Sequence, residues 1–263
     1  MRVLIFGLGY TATRLADRLR ADGWQVCGTG RSARPGALAF DDPAIAGEIT
    51  RATHILSSVP PDAAGDPVLA RFGPMIAEHG GWIGYLSSTG VYGDTGGAWT
   101  DEAAPIGTGR RSARAAADLG WQALPAAHIF RLPGIYGPGR SAIDRVRAGV
   151  AQRVDAPGHL FSRIHVDDIV AAVIAAMQQP KPGVYNVADD HPTAGITVIE
   201  AACDLIGSAY PPVIQPDQLR PEARGFYSER RRVSNGKMKR DLGVRLRYPD
   251  YMSGLRACLE EVR

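Results

Sequence analysis

The amino-acid sequence predicts an α/β fold, in which helices cover both faces of a doubly wound parallel sheet, with a smaller C-terminal lobe. Two observations support this prediction. Short apolar runs typical of buried strands alternate with segments whose apolar residues recur at helical spacing, as in successive βα units. In addition, a chain of 263 residues that is 45% hydrophobic can bury a sizeable core without disulfides or a structural metal.

The first βαβ unit is the clearest part of this pattern. Residues 3–6 form an apolar strand-like run, Leu15 and Leu19 share one helical face, and Gly23 marks a turn before the second strand. The predicted elements, in chain order, are strand 3–6, helix 13–20, strand 24–29, strand 54–59, helix 67–79, strand 82–87, helix 110–119, strand 127–132, helix 167–178 and strand 184–187.

Composition excludes several classes of protein. The 22% charged residues and the formal charge of +3 are typical of a soluble globular chain. Cys27, Cys203 and Cys258 lie far apart, without a CxxC pair or a nearby histidine pair, which argues against a disulfide framework or a metal site. No apolar run approaches the roughly 18 residues of a membrane span, and residues 3–6 are too few for a signal sequence. We therefore expect a cytoplasmic protein without membrane contact.

Basic residues are concentrated near the C-terminus. Residues 220–247 hold ten Lys or Arg against three Asp or Glu. A solvated surface is the simplest interpretation, and an anion-binding face or a nucleic-acid face are the alternatives. Because no helix-turn-helix, RNP or zinc-finger pattern accompanies the segment, we expect no nucleic-acid partner.

The segment FGLGYTA, between the first strand and the first helix, has the spacing of a dinucleotide-binding loop. Gly7 permits a tight turn, Gly9 allows the backbone to approach a pyrophosphate, and Ala12 is small enough for close packing of the helix on the sheet. The free N–H groups at the helix start would bind the anion. A plain tight turn is the alternative, and the strands and helix on either side favour the binding loop.

The end of the second strand indicates which dinucleotide is bound. An Asp or Glu there would accept hydrogen bonds from the adenosine ribose of NAD, but the strand continues into Thr29-Gly30-Arg31-Ser32. A guanidinium matches a 2′-phosphate in charge and geometry, and Ser32 adds a hydroxyl donor. We therefore expect the protein to bind NADP(H) rather than NAD(H). If Arg31 is only a solvated loop residue, the choice between the two cofactors stays open.

Two segments lack the βα rhythm. Residues 134–160 are rich in Gly, Pro and Arg, and the rhythm ends after about residue 189. We expect residues 1–133 and 161–189 to form the dinucleotide-binding core. Residues 134–160 and 190–263 would form a smaller, substrate-side lobe over the carboxyl ends of the strands.

Six sequence blocks occur in order along nearly the whole chain: the glycine loop, YLSSTGVYGD (85–94), FRLPGIYGPGR (130–140), RIHVDDI (163–169), GVYNVADD (183–190) and SNGKMKRDLG (234–243). In this order the blocks resemble those of the extended, or atypical, short-chain dehydrogenases/reductases of the NAD-dependent epimerase/dehydratase type. Each block alone is loose, whereas their ordered combination is specific. The resemblance implies a Rossmann-type fold and a nicotinamide cofactor.

The resemblance also implies roles for individual positions. Ser88 falls where the family keeps a catalytic Ser or Thr that hydrogen-bonds the substrate oxygen. Residues 57–60 would border the cofactor, and Pro133 and Ile135 would contact its nicotinamide end. No metal ligand is expected. The expected cofactor-binding residues are Gly7, Gly9, Tyr10, Thr11, Ala12, Arg31, Ser32, Ser57, Ser58, Val59, Pro60, Ser87, Pro133 and Ile135.

One departure from the family pattern concerns catalysis. Such enzymes carry a Tyr and, four residues later, a Lys whose charge lowers the pKa of the tyrosine. At the corresponding distance from the serine, this chain has Arg110 and Arg114, and arginine stays protonated and cannot act as a base. Tyr85, Tyr92 and Tyr136 lie near the expected cleft, and we interpret them as structural.

Two classes of function are therefore open. The first is an NAD(P)-binding oxidoreductase or epimerase-like enzyme acting on a small anionic, sugar-like or nucleotide-linked substrate, with Ser88 as hydroxyl donor and an unidentified acid/base partner. The second is a catalytically weak NADP(H)-binding protein of the same fold that reports redox state. The absent Tyr/Lys pair favours the second class, whereas Ser88 and the basic segment favour a ligand-filled cleft. The sequence determines neither the substrate nor the oligomeric state.

Overall fold

The computed structural model describes residues 1–109 and 112–260. Its strands are β1 (Arg2–Phe6), β2 (Gln25–Gly30), β3 (Ala37–Ala39), β4 (His54–Ser57), β5 (Trp82–Ser88), β6 (Trp99–Thr100), β7 (Ala127–Leu132), β8 (Gly134–Tyr136), β9 (Arg153–Val154), β10 (Leu160–Phe161), β11 (Arg163–His165), β12 (Gly183–Asn186), β13 (Thr193–Ala194), β14 (Val213–Ile214) and β15 (Arg232–Val233). Its α-helices are α1 (Tyr10–Ala21), α2 (Ala44–Arg51), α3 (Pro67–Ala77), α4 (Ser112–Gln122), α5 (Ala142–Arg147), α6 (Val166–Gln178), α7 (Gly195–Ile206), α8 (Pro221–Tyr227), α9 (Gly236–Leu242) and α10 (Tyr251–Glu260). Short 3-10 helices cover Thr89–Tyr92 and Pro216–Gln218.

Seven parallel strands form the central sheet, in the order β12-β7-β5-β4-β1-β2-β3. This arrangement confirms the predicted fold class. The chain builds one side of the sheet from β1 outwards through β2 and β3, and it then returns to place β4 on the other side of β1. The strand order therefore reverses between β1 and β4, and ligands of such sheets bind at the carboxyl edge beside this reversal.

Two apolar layers cover the sheet, one on each face. Successive residues of β1 alternate between them, so that Val3 belongs to one layer and Leu4 to the other. Helices α1, α6 and α9 supply the first layer, and helices α2, α3 and α4 supply the second. Because both faces are covered, β4 and β7 are buried along their whole length, as is typical of central strands in a parallel sheet.

Local signals explain where several helices begin. Helix α3 begins at Pro67, as predicted, because the side chain of Asp66 accepts hydrogen bonds from the N–H groups of Val68 and Leu69. Two elements, α2 and β3, are not among those predicted from the sequence. Helix α2 has only eight residues and contains Gly47, and β3 is the tripeptide Ala-Leu-Ala, so neither carries a strong periodic pattern.

The smaller lobe is built around α5, α7 and α10, which share a separate apolar cluster. It is joined to the sheet by β8, which directly follows β7 and pairs in parallel with β11. Part of the C-terminal segment lies elsewhere, because Met238 and Leu242 of α9 pack into the layer formed by α1 and α6. The boundaries of the lobe stay a prediction.

Two further properties concern the described residues as a whole. None of their helices combines the length and the apolar character that crossing a membrane requires. Within the same residues, no group of three His, Cys, Asp or Glu side chains is arranged to hold a metal ion, and Cys27, Cys203 and Cys258 form no disulfide with one another.

Candidate functional site

The glycine loop joins β1 to α1 at the carboxyl edge of the sheet. Gly7 has a φ of +82°, and a Cβ atom there would lie 2.9 Å from Cγ2 of Val59, so only glycine fits without strain. Gly9 has an ordinary φ of −84°, and a Cβ there would meet no atom within 4 Å beyond its chain neighbours. Gly7 therefore makes the turn, and Gly9 leaves open space in front of the free N–H groups of α1.

The loop opens onto a cleft of about 930 Å³ beside the reversal of strand order. Ser58, just after β4, donates a hydrogen bond of 2.5 Å to the carbonyl oxygen of Gly7 and ties the two loops together. Seven of the residues expected to bind the cofactor line this cleft, namely Gly7, Gly9, Arg31, Ser32, Ser58, Val59 and Pro60.

Charged side chains of both signs line the same cleft. Arg31, after β2, is exposed, and Nη2 of Arg34 donates to the carbonyl oxygen of Leu8 at 2.7 Å. Asp41 and Asp62, from the loops after β3 and β4, also line it. Arg34, Asp41 and Asp62 were not predicted from the sequence. Asp41 follows the short strand β3, whose weak pattern gives no sign that this loop reaches the cleft.

The remaining residues of the loop lie outside the cleft lining. The hydroxyl of Tyr10 donates to the carbonyl oxygen of Pro138 at 3.0 Å, which ties α1 to the start of the smaller lobe. Thr11 and Ala12 lie on the buried face of α1. Ala12 packs in the core against the sheet, in the position that its small size predicted.

Ser57 and Ser87 are buried beneath the carboxyl edge. The hydroxyl of Ser87 donates to Oδ2 of Asp118 at 2.5 Å, and Nη2 of Arg131 donates to Oδ1 of the same carboxylate at 2.8 Å. Arg131 also donates to the hydroxyl of Tyr92 at 2.9 Å. This buried ion pair was not predicted, although a charged residue inside a largely apolar strand is a signal for one.

Ser88 lies at the end of β5, in a cavity of about 130 Å³ that Pro133 also lines. Its Oγ accepts a hydrogen bond from the N–H of Gly90 at 3.1 Å, which leaves the hydroxyl hydrogen available for another acceptor. An ion pair lines the same cavity, because Arg231 donates to Oε2 of Glu229 at 2.9 Å. Glu229 and Arg231 follow Ser88 by more than 140 residues, and no sequence signal connects them with it.

Ile135 lines a third cavity, of about 360 Å³, within the smaller lobe. Arg140, Arg145 and Arg163 also line it. This cavity adjoins the one at Ser88, since both are lined by Gly134, Phe161 and Phe226.

The three tyrosines near the cleft are buried, and burial is the main cause of their raised pKa values. It raises the pKa of Tyr92 to about 12 and also raises the pKa values of Tyr85 and Tyr136. Tyr92 donates to Oδ1 of Asn186 at 2.7 Å, and Tyr136 donates to the carbonyl oxygen of Asp250 at 3.4 Å. Their burial and these hydrogen bonds agree with the expected structural role, which stays a prediction.

Arg110 and Arg114 stand at the spacing expected of the Tyr/Lys pair. Arg110 lies outside the described residues. Arg114 is on α4, close enough to Tyr85 for its positive charge to oppose the rise in the pKa of that phenol. That these positions correspond to the Tyr/Lys pair stays a prediction.

Comparison with known proteins finds relatives along nearly the whole chain, among them a functionally unknown protein of solved structure. No family model matches the chain. A functionally unknown conserved protein from Silicibacter pomeroyi DSS, of solved structure, is 44% identical, with 99% of this chain and 98% of that chain covered and a TM-score of 0.91. Protein YeeZ of Escherichia coli K12 is 28% identical over a 291-residue alignment that covers 95% of this chain and 97% of YeeZ.

Other solved structures connect the fold with nicotinamide-dependent enzymes. A candidate NAD-dependent epimerase/dehydratase from Methylobacillus flagellatus is 26% identical, with a TM-score of 0.74 and coverage of 99% and 98% of the two chains. A human epimerase family protein with NADPH is 16% identical, with a TM-score of 0.79 and 99% of each chain covered; it shows a shared fold alone. The chain therefore belongs to the same family as the Silicibacter pomeroyi protein, and its fold is that of NAD(P)-binding epimerases and dehydratases.

Proposed function

We propose that the protein binds a nicotinamide dinucleotide in the cleft beside the glycine loop and acts as an oxidoreductase or epimerase-like enzyme on a small, anionic or sugar-like substrate. The open space at Gly9, between the start of α1 and the cleft, carries this proposal. The free N–H groups and the positive end of the helix dipole favour a pyrophosphate there.

The order of the strand ends supports an extended dinucleotide along the sheet edge. Arg31 follows β2, Gly7 follows β1, Ser58 follows β4, Ser88 ends β5 and Pro133 follows β7, and these five strands are successive neighbours. With roughly 4.8 Å between strands, the edge from β2 to β7 is about 19 Å long. We assign the adenosine end to Arg31 and the nicotinamide end to Ser88 and Pro133.

We further propose a preference for NADP(H). Arg31 and Ser32 supply a guanidinium and a hydroxyl for the 2′-phosphate, whereas Asp41 in the same cleft opposes it, because a carboxylate repels phosphate and accepts from a ribose hydroxyl. The preference therefore depends on Arg31 outweighing Asp41.

Calorimetric titration with NADPH and with NADH tests both the dinucleotide site and the preference for NADP(H). Arg31→Ala should weaken NADPH binding by about 1.5–3 kcal/mol, or roughly 10- to 100-fold, and leave NADH binding nearly unchanged. Arg18→Ala, an exposed arginine of α1 outside the cleft, is the matched control. A wild-type protein that prefers NADH, or equal losses for both cofactors, would refute the preference; failure to bind either would refute the dinucleotide site.

For catalysis we propose that Ser88 donates a hydrogen bond to the substrate oxygen in its small cavity. A second candidate function is an NADP(H)-binding protein with weak turnover, and the raised pKa values of Tyr85, Tyr92 and Tyr136 favour it, because these phenols are poor acid/base groups. NADPH oxidation measured with a panel of carbonyl compounds separates the two. Turnover that falls in Ser88→Ala supports the enzyme, and tight NADPH binding without turnover supports the second candidate.

A further inference from the structure

The smaller lobe contains a cavity that lies apart from the proposed dinucleotide cleft. Its volume of about 360 Å³ is within the range of small-molecule sites. Three elements of the lobe contribute to its wall, through Tyr136 of β8, Gly195 of α7 and Leu255 of α10, and Arg163 of β11 adds to it from the predicted core. The cavity and the dinucleotide cleft have no lining residue in common.

Arg163 places a buried positive charge in the wall of this cavity. The residue is 5% exposed, and its guanidinium lies 4.3 Å from the ring centroid of Phe161. Nη2 donates to the carbonyl oxygen of Thr193 at 3.1 Å, whereas Nη1 is buried and has no hydrogen-bond partner among the described residues. Burial lowers the pKa of Arg163, but an arginine stays protonated near neutral pH. A buried charged donor without an acceptor is costly, so its position here requires a reason.

The other charges around the cavity do not supply the missing acceptor. Arg140 and Arg145 add two exposed guanidinium groups to the lining, and none of the described lining residues is acidic. Asp189 interacts with Arg163 at longer range but does not line the cavity, and its Oδ2 also lacks a hydrogen-bond partner in the described structure. The cavity lining is therefore positively charged, and no carboxylate among its described residues neutralises it.

We propose that this cavity binds the anionic group of the substrate, a carboxylate or a phosphate ester, and that the positive charges of Arg140, Arg145 and the buried Arg163 hold it there. Phe161, Phe226 and Tyr227 line the cavity and suit an apolar or planar part of the same molecule. Because the cavity adjoins that of Ser88, the bound anion would hold the reacting part of the substrate toward the serine. This last step rests on the proposed function, whereas anion binding itself needs no cofactor.

Three matched probes test the proposal on the full chain without cofactor: benzoate, phenyl phosphate and the neutral benzamide. We expect at least one anionic probe to bind ten-fold or more tightly than benzamide in a calorimetric or NMR titration. Arg163→Met should weaken that binding roughly 10- to 100-fold. Arg147→Met, an exposed arginine of α5 outside the cavity lining, should leave it unchanged.

A second variant keeps the test decisive if Arg163→Met does not fold. A Cβ atom at Gly195 would lie 3.4 Å from Cε1 of Phe161, so Gly195→Leu fills the cavity while Arg163 stays in place. It should cause the same loss of binding.

The outcomes separate the alternatives. The tighter of the two anionic probes identifies the group as carboxylate or phosphate. Benzamide binding as tightly as both anions, or anion binding that survives Gly195→Leu and a folded Arg163→Met, overturns the proposal. Titration of the same samples with NADPH tests the dinucleotide site separately, so failure of one proposal is distinguishable from failure of the other.

Discussion

Gly9→Val separates binding from folding at the glycine loop. A Cβ atom at Gly9 would meet no atom within 4 Å beyond its chain neighbours, and the φ of −84° suits any residue, so the side chain fits the unliganded protein. Gly9 is the N-cap residue of α1, where valine is less favourable than glycine by about 1 kcal/mol. For a chain of this length, that corresponds to a fall in Tm of about 2–4 °C.

The effect on binding should be much larger, because the new side chain would occupy the space in front of the N–H groups of α1. A hydrogen bond to a charged group contributes about 1.5–3 kcal/mol, and displacement of the pyrophosphate would remove about two of them. The expected loss of NADPH affinity is therefore about 3–6 kcal/mol, or roughly 10²- to 10⁴-fold. Calorimetric titration measures this loss, and thermal unfolding followed by circular dichroism measures the change in stability.

Two other glycines provide the controls. Gly80 is exposed in the loop before β5, and a Cβ there also meets nothing within 4 Å, so Gly80→Val should change neither affinity nor stability appreciably. Gly7→Ala should instead lower stability by about 1–3 kcal/mol, because Gly7 has a φ of +82° and close contact with Val59. A folded Gly9→Val variant with wild-type affinity for NADPH would show that the pyrophosphate does not lie at this helix.

Two further predictions concern titration and catalysis. Burial raises the pKa of Asp189 to about 7, above the roughly 3.9 of an unfolded chain, so the folded state binds more protons and loses stability as pH rises from about 4 to 7. Asp189→Asn should therefore gain about 2–3 kcal/mol relative to wild type between pH 5 and pH 8 in urea unfolding, and a pH-independent difference would contradict this. Arg110→Tyr combined with Arg114→Lys should raise the rate of NADPH oxidation by roughly 10²-fold or more. Each single variant should raise the rate less, and Ser88→Ala should suppress the gain. Fast native turnover that survives Ser88→Ala would contradict this second prediction.

The sheet could be predicted from the sequence because its strands carry their signal locally. The strand at 127–132 has the predicted bounds, and the second strand begins and ends one residue later than predicted. Strands β8 and β11 were missed because each has three residues, and they are defined by pairing with each other rather than by their own pattern. Short elements of this kind form only where the rest of the fold brings them together.

Some residues of the candidate site could likewise be predicted from local sequence, and others could not. Gly7 and Gly9 could be identified because a turn between a strand and a helix has its own spacing. Asp41 and Glu229 could not, because their positions depend on which loops the sheet edge and the smaller lobe bring together. The orphaned donor of Arg163 is a property of burial and packing, and the sequence RIHVDD gives no sign of it.

Backbone pairing fixes the two proposed substrate contacts relative to each other. Ser88 pairs with Leu132 at the end of β5 and β7, and Arg163 pairs with Gly134 of β8. Only Pro133 separates Leu132 from Gly134, so one short stretch of extended chain connects the serine hydroxyl with the buried guanidinium. Sites held by paired strands keep their geometry better than sites on loops. A substrate anchored by its anion at Arg163 would therefore reach Ser88 with one preferred separation between its charged group and its reacting oxygen.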